Sequence, residues 1–461
     1  MNPLQSLISG LNKIGQGPRR FLAFLVFNVT SWECLMGSVL ILHARALGIP
    51  PAWVGVLTAV IPFTMLLTLV MKPVSERFGS KRLMRICWAG RIIIISPIMT
   101  TPIAYTLWGT SGAAVVLFSS VSAYCLLRSL GSIGWMPWIH EIVPEDRQGL
   151  YTGVEAVIVR LALIVLGLII FLILGKNTPL WKFSAVSGFG IVLGVVSLVL
   201  MQRIPGGRPH PSIHYSQRNH MREYLKVFHD RQFSLFFVCV SFGTFAYMGY
   251  SLLLMLFMRD QLGIAPGRIM LITTGGSVAT ALTVQRWGLI ADTHGSPVTM
   301  AASAALAVVC LLLCPVLQPG LLSLVLIFPL YATLNLATAG FTVASGRGLL
   351  HRAQPDLRNA YSAIWTTGTA LFSGLASILT GLLLNTGTPA VYVWAFIGFA
   401  LLTAIVSLAC LKLPESGIDH AITTYPLFIP NRPIISIFRM CSYVLHPTAV
   451  KELLPSKNSK T

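Results

Sequence analysis

Hydrophobic residues gather into twelve runs, near 21–42, 53–71, 86–108, 112–138, 151–174, 183–202, 233–258, 266–286, 297–317, 321–345, 361–384 and 390–411. Glycine, proline or charged residues bound each run, and ~20 apolar residues suffice for a helix to cross a bilayer. Six runs precede a basic stretch rich in Pro, Gly and His, and six follow it. The pattern predicts an all-α membrane protein with 12 transmembrane helices. An N-terminal six-helix bundle would occupy 1–202, a cytoplasmic linker 203–232, a C-terminal six-helix bundle 233–412, and a cytoplasmic tail 413–461.

Composition sharpens this. Of 461 residues, 55% are hydrophobic and only 10% charged, whereas a soluble domain carries about 25% charged residues. A soluble globular protein is excluded. The first run follows Arg19 and Arg20 and precedes Ala44-Arg45-Ala46, which has the form of a signal-peptidase site. It is too long for a signal peptide's apolar core and contains Glu33, so it is a retained span.

The net charge of +19 would suggest nucleic acid in a soluble chain, but its placement says otherwise. Lys13, Arg19 and Arg20, then Lys72, Arg77, Lys81, Arg82 and Arg85, then Arg203, Arg208, Arg218, Arg222, Lys226 and Arg231 all fall on one side. The opposite loops hold only Arg45, Lys176, Lys182, Arg259 and Arg268. Basic residues near span ends resist translocation, so the first set and both termini are expected in the cytoplasm, with the chain in the cell (inner) membrane. The eight cysteines form no CxxC pair and have no His at zinc spacing, which makes them small core hydrophobes. In the tail, Pro433–Leu445 carries Arg439 among apolar residues. It would lie along the inner leaflet as an interfacial helix or remain a disordered tail.

The two halves repeat each other. Glu76-Arg77-Phe78-Gly79 after the second span recurs 216 residues later as Asp292-Thr293-His294-Gly295. His140, Pro144 and Arg147 recur 211 residues later as His351, Pro355 and Arg358. Two signatures at nearly equal offsets, in matching loops, mark a duplicated six-span unit.

These loops resemble the major facilitator superfamily, whose signature after the second span is Gly-x-x-x-Asp-x-x-Gly followed by basic residues. Gly288, Asp292 and Gly295 match its core, with Ser296-Pro297 at the basic end; the first copy keeps Arg77, Gly79, Lys81 and Arg82, with Glu76 for Asp and Lys72 for the opening Gly. The resemblance covers the chain up to its tail. It implies two pseudo-symmetric six-helix bundles and secondary transport by alternating access. Contacts on the cytoplasmic side must then form and break, which assigns a gating role to Glu76, Arg77, Gly79, Asp292, Gly295, Arg147 and Arg358.

Ionisable groups inside spans cost at least ~2.5–3.5 kcal/mol each and usually face a cavity or a partner. Glu33, Arg91, Arg128, Glu155 and Arg160 are such groups, all in the first half. Glu33, about twelve residues into its span at ~1.5 Å per residue, is a candidate proton carrier, with a static ion pair as the alternative. Glu155, near the cytoplasmic end of its span, suits a structural pairing. Arg128 opens Arg128-Ser129-Leu130-Gly131, which resembles the family's proton-coupling Arg-x-x-x-Gly motif with the glycine one place early. The glycine–proline motif of the family's antiporters is absent from 151–175.

Three arginines against two acids favour an anionic substrate, unless Arg91 and Arg160 pair with Glu33 and Glu155. Asn28, Trp32, Arg91, Arg160, Tyr247, Tyr250, Asn335 and Trp365 are candidates for the substrate cavity; Trp135 is considered with them, and Trp138, at a span end, suits an interfacial belt. An enzyme is not expected, because HExxH, paired in-span aspartates, GxSxG and a Walker loop are all missing. No cofactor or metal is implied. The expected function is proton-coupled transport of a small molecule, an organic anion or amphipathic metabolite, by a monomer. Its partners would be substrate, protons and bilayer, with no nucleic acid. The alternative is a transporter-derived scaffold or sensor without flux.

Overall fold

The computed structural model describes residues 15–69, 79–144, 148–207, 224–414 and 444, and all regular secondary structure among them is helical. The first half forms α1 (Gln16–Leu35), α2 (Gly37–Ala46), α3 (Pro51–Met65), α4 (Ser80–Ile95), α5 (Thr101–Ser132), α6 (Trp135–Ile142), α7 (Gln148–Leu174) and α8 (Leu180–Gln202). The second half forms α9 (Arg231–Leu256), α10 (Pro266–His294), α11 (Ser296–Leu313), α12 (Leu321–Arg352), α13 (Arg358–Leu383) and α14 (Pro389–Leu411). Among the described residues, nine helices are long and apolar enough to cross a membrane. One of these, Ser80–Ser132, carries both the third and fourth predicted runs, which part at Gly109 (φ 64°, ψ −162°). The second run lies on the shorter α3, and the eighth on α10.

Local chemistry fixes several boundaries. Pro51, Pro297 and Pro389 sit in the first turns of α3, α11 and α14, where the ring presets φ and no N–H is missed. The duplicated loop glycines share one conformation: Gly79 (φ 77°, ψ 141°) precedes α4 and Gly295 (φ 85°, ψ 162°) precedes α11. A positive φ of that kind is nearly free only for glycine, which accounts for its presence in both copies of the repeat.

The chain divides into two compact units. The first comprises Met1–Tyr215 together with Leu254–Thr274 and Ser377–Gly387, and the second comprises Ser216–Leu253, Gly275–Ala376 and Thr388–Thr461. Small residues let backbones meet inside the first unit. A Cβ placed on Gly55 would lie 2.9 Å from Gly381 Cα, and one on Gly267 would lie 2.5 Å from the Gly175 carbonyl oxygen. Polar links join neighbouring helices in both units: Ser31 donates to the Gly190 carbonyl at 2.6 Å, and Ser407 to that of Ala301 at 2.8 Å.

Phe21, Phe24, Met84, Trp88, Trp138 and Met201 belong to the core of the first unit. Trp138 is fully buried and donates its indole N–H to the Pro205 carbonyl at 3.0 Å, so it is a core residue and not part of an interfacial belt. The reason is that α5 ends at Ser132, leaving Trp138 on the separate helix α6, where residues 203–205 supply the acceptor a buried indole needs. In the second unit Phe233, Phe236, Met300, Tyr361 and Cys410 form a comparable core. The predicted tail helix lies outside the described residues apart from Val444, which is buried with Trp287, Ile290 and Leu336 and accepts a hydrogen bond from Arg286. The seven described cysteines are all free, and six of them are buried.

Candidate functional site

Three helices of the first unit each present two polar or aromatic side chains about one turn apart, on one face. From α1 come Asn28 and Trp32, from α4 Trp88 and Arg91, and from α5 Tyr124 and Arg128. Asn28 Oδ1 accepts hydrogen bonds from the Trp88 indole at 2.8 Å and from the Arg91 guanidinium. Arg91, only 2% exposed, lies 4.1 Å from the Trp88 ring centre and 5.2 Å from that of Tyr124. Tyr124 stacks on Trp32 at 5.8 Å, and Arg128 sits over the other end of the series, 4.1 Å from the Trp32 ring. Aromatic faces attract a guanidinium and cost little desolvation compared with an acid. Two buried polar atoms in this array, Arg91 Nε and Tyr124 Oη, have no hydrogen-bond partner among the described residues.

Glu33 adjoins the array at a break in the first span. The helix α1 stops at Leu35, Met36 leaves helical geometry (φ −118°, ψ −117°), and α2 begins at Gly37 with φ 33°. The Glu33 carboxylate crosses this break and accepts the Ser38 backbone N–H, capping one of the unsatisfied donors at the start of α2. A Cβ on Gly37 would meet Glu33 Oε1 at 2.5 Å, so glycine is what leaves room for the carboxylate.

The described residues contain no ion pair between Glu33 or Glu155 and Arg91, Arg128 or Arg160. Pairing of Arg91 and Arg160 with the two acids is therefore not what the fold does, because Asn28 and the aromatic rings already hold Arg91. Among the described residues, the one side-chain acceptor of Arg128 is the Met65 sulfur, 3.5 Å away. Glu155 and Arg160 are half-buried on α7, apart from the array.

In the second unit a cavity of about 260 Å³ is lined by Tyr247, Tyr250 and Trp365 together with Thr338, Thr342 and Ser345. Asn335 does not line it; its amide donates to the Tyr331 carbonyl at 2.9 Å. The hydroxyl residues escaped sequence reasoning, although Thr338, Thr342 and Ser345 form a polar stripe at helical spacing on an otherwise apolar helix. Trp88 and Tyr124 were legible in the same way, three and four residues before Arg91 and Arg128.

Of the loop residues, Asp292 forms an ion pair with Arg347 at 2.7 Å, and Arg347 also donates to Ser296 at 3.4 Å. Arg358 is exposed at the start of α13. Glu76, Arg77 and Arg147 lie outside the described residues. Next to Gly79, Lys81 turns to its own unit: its ammonium donates to the carbonyls of Gln202 and Ile204, and its backbone N–H to that of Gly207 at 3.2 Å. Glu141 accepts the Gly207 N–H at 2.6 Å.

The sequence matches the family model described as Major Facilitator Superfamily over residues 21–261 and again over 243–439. Among solved structures, the nucleoside transporter NupG is similar with a TM-score of 0.62 at 14% identity, over 90% of this chain and 100% of that one. A bacterial homolog of the human lysosomal transporter Spinster, inward-facing and unoccupied, gives 0.59 at 12% identity, over 96% and 100%. A POT family transporter in complex with a thioalcohol-conjugated peptide gives 0.63 at 10% identity, over 88% and 100%. No curated protein sequence matches. At these identities the likeness speaks to the fold.

Proposed function

Because the chain belongs to the Major Facilitator Superfamily, and so is a multi-pass membrane transporter and not an enzyme, we propose that it carries a small organic anion across the cytoplasmic membrane, by alternating access and coupled to protons. One observation carries the anion: within the spans, Arg91 and Arg128 keep their charge against aromatic faces with no carboxylate partner among the described residues. Arginine stays protonated in proteins, and an uncompensated guanidinium in a span is costly unless something answers it. Arg128 is half-buried and uses one of its five N–H donors on Met65, which leaves most of its fork for a carboxylate or phosphate. Arg91 is enclosed and supports the array from behind.

Glu33 is the proton carrier in this reading. Its negative charge caps α2 at the break in the first span, so a proton arriving there weakens the cap and frees the break to change angle. Arg128 belongs to the array that Glu33 adjoins, so in this reading proton and substrate are interdependent. With both termini in the cytoplasm, as the basic loops favour, protons would enter from the opposite side.

The test is flux in proteoliposomes under an imposed pH gradient, with organic anions and amphipathic cations supplied in parallel. Anions alone should be driven by the gradient, and Glu33→Gln should abolish that drive while leaving exchange of substrate for substrate. Equal transport of cations would discard the anion, and a gradient-driven Glu33→Gln protein would discard the carrier. Absence of any flux would leave the scaffold or sensor reading.

A further inference from the structure

A second cavity, of about 370 Å³, lies at the ends of two helices of the first unit, lined by Arg20 and Ala23 from α1 and by Leu200 and Arg203 from α8 and its end. Arg20 comes before Ala23 as α1 enters its apolar run, and Leu200 comes before Arg203 as α8 leaves its own. Each helix therefore sets a guanidinium toward the membrane surface and an apolar residue one turn deeper. Both arginines are exposed.

These two cations differ from their neighbour Lys81 in how little of them the protein uses. The Lys81 ammonium is given to the carbonyls of Gln202 and Ile204, at the helix end that cations commonly cap. Arg20 donates once, to the Arg203 carbonyl at 3.1 Å, which brings the two arginines to one cavity and leaves most of its five N–H donors over. The Arg203 guanidinium donates to no acceptor among the described residues. Glu141 accepts the Gly207 N–H at 2.6 Å and forms an ion pair with neither arginine among the described residues. Arginine does not shed its proton, so two like charges share this cavity and repel until an anion joins them. A carboxylate or phosphate can take two parallel donors from each guanidinium.

The apolar surroundings decide which anion. Val192, Val195 and Val199 are exposed on α8, and their spacing of three and four residues makes a stripe that Arg203 continues, since its backbone keeps helical geometry (φ −81°, ψ −4°). From Val192 to Arg203 the stripe rises ~16 Å at ~1.5 Å per residue, about half of the ~30 Å hydrocarbon core and so the depth of one leaflet. A soluble anion would use the charges and ignore the valines, whereas a phospholipid uses both.

We propose that this cavity binds the phosphate of an anionic phospholipid, with an acyl chain lying along the valine stripe. Basic pockets between spans take such headgroups. The bound lipid neutralises both arginines and ties α1 to α8 where the linker begins. The inference is independent of what the protein transports.

Native mass spectrometry of the full-length protein, titrated in detergent micelles with phosphatidylglycerol or phosphatidylcholine, reads the affinity of the first lipid bound. Phosphatidylglycerol should bind about tenfold or more tighter, as expected for two arginines beside an anionic headgroup. Arg20→Gln and Arg203→Gln should each weaken it about fivefold and leave phosphatidylcholine unchanged. Arg203→Lys, which keeps the charge and loses the fork, should weaken it about two- to fivefold, and so should Ala23→Leu, which fills the cavity and alters no charge. Arg82→Gln removes an exposed cation of α4 outside the cavity and should change the affinity by less than about twofold. Equal affinity for the two lipids overturns the proposal. So does a loss in Arg82→Gln as large as that in Arg203→Gln, which would mean a diffuse surface potential and no site. Millimolar inorganic phosphate separates the other source of this chemistry: phosphatidylglycerol retained in its presence supports the lipid, and phosphatidylglycerol displaced by it overturns the lipid in favour of a soluble phosphate.

Discussion

Arg128 lies 4.1 Å above the Trp32 ring, which fixes the face of its guanidinium, and in the proposed function the donors on its edge that do not meet Met65 bind the substrate. Lysine at this position would keep the charge and lose both the stacking and the two-pronged fork. Arg128→Lys should therefore raise the KM for a transported anion about tenfold, equivalent to ~1.4 kcal/mol, with a smaller change in maximal rate. Arg128→Ala should abolish saturable uptake. Kinetics of uptake into proteoliposomes distinguish the two, and an unchanged KM in Arg128→Lys would remove Arg128 from substrate contact.

Arg45 and Asp260 are joined at 3.0 Å with about a fifth of each side chain exposed, and Arg45 also donates to the Ile49 carbonyl at 2.6 Å. The pair ties the end of α2 to the segment Leu254–Thr274 within the first unit. Partly exposed pairs are worth at most about 1 kcal/mol. A double-mutant cycle of Arg45→Gln and Asp260→Asn, read by thermal unfolding in detergent, should give a coupling of roughly 0.5–1 kcal/mol. A coupling near zero would mean that apolar packing alone holds this segment.

Two glycines of similar helical setting should respond oppositely to alanine. At Gly55 the new methyl would meet backbone, 2.9 Å from Gly381 Cα and closer still to the Ser377 carbonyl, whereas at Gly398 nothing lies within 4 Å. Gly55→Ala should cost about 1–3 kcal/mol by overpacking, and Gly398→Ala should be neutral or stabilising by up to about 1 kcal/mol through helix propensity. Thermal unfolding of the two variants side by side measures the contrast. Equal midpoints would show that the approach of α3 to α13 at Gly55 accommodates a methyl group.

The helical spans are legible in the sequence because hydrocarbon leaves the backbone no other partner than itself, so each span must appear as an apolar run. The loop glycines are legible for a similar reason: only glycine tolerates the conformation that Gly79 and Gly295 share. The break at Met36–Gly37 is not, since no proline marks it and a lone glycine in a span is common. Its signal is in the structure alone, where the Glu33 carboxylate supplies the cap. The partners of the arginines are hidden for another reason. A buried cation points to an acid as its partner, but Trp88 and Tyr124 lie one turn from Arg91 and Arg128 and cost less to bury than a carboxylate. Asp292 announces itself by its motif, whereas its partner Arg347 is 55 residues away and belongs to no motif considered.

The start of the linker is held by side chains of the first unit, and this arrangement makes a separate prediction. Trp138 donates to the Pro205 carbonyl at 3.0 Å, Glu141 accepts the Gly207 N–H at 2.6 Å, and Arg20 donates to the Arg203 carbonyl at 3.1 Å. The Lys81 ammonium adds Gln202 and Ile204. Gly206 and Gly207 have φ of 80° and 74°, and a Cβ on Gly207 would lie 2.8 Å from the Lys81 backbone nitrogen, so this tight path needs both glycines. Trp138→Phe keeps most of the buried ring but strands the Pro205 carbonyl, which should cost about 1–3 kcal/mol of local stability. Opening of a short segment governs its cleavage when reclosing is fast, so trypsin should cut after Arg203 about fivefold or more faster in Trp138→Phe than in the parent protein. Gly207→Ala should act in the same direction through strain and overlap. An unchanged cleavage rate after Arg203 in both variants would mean that these contacts line the segment without restraining it.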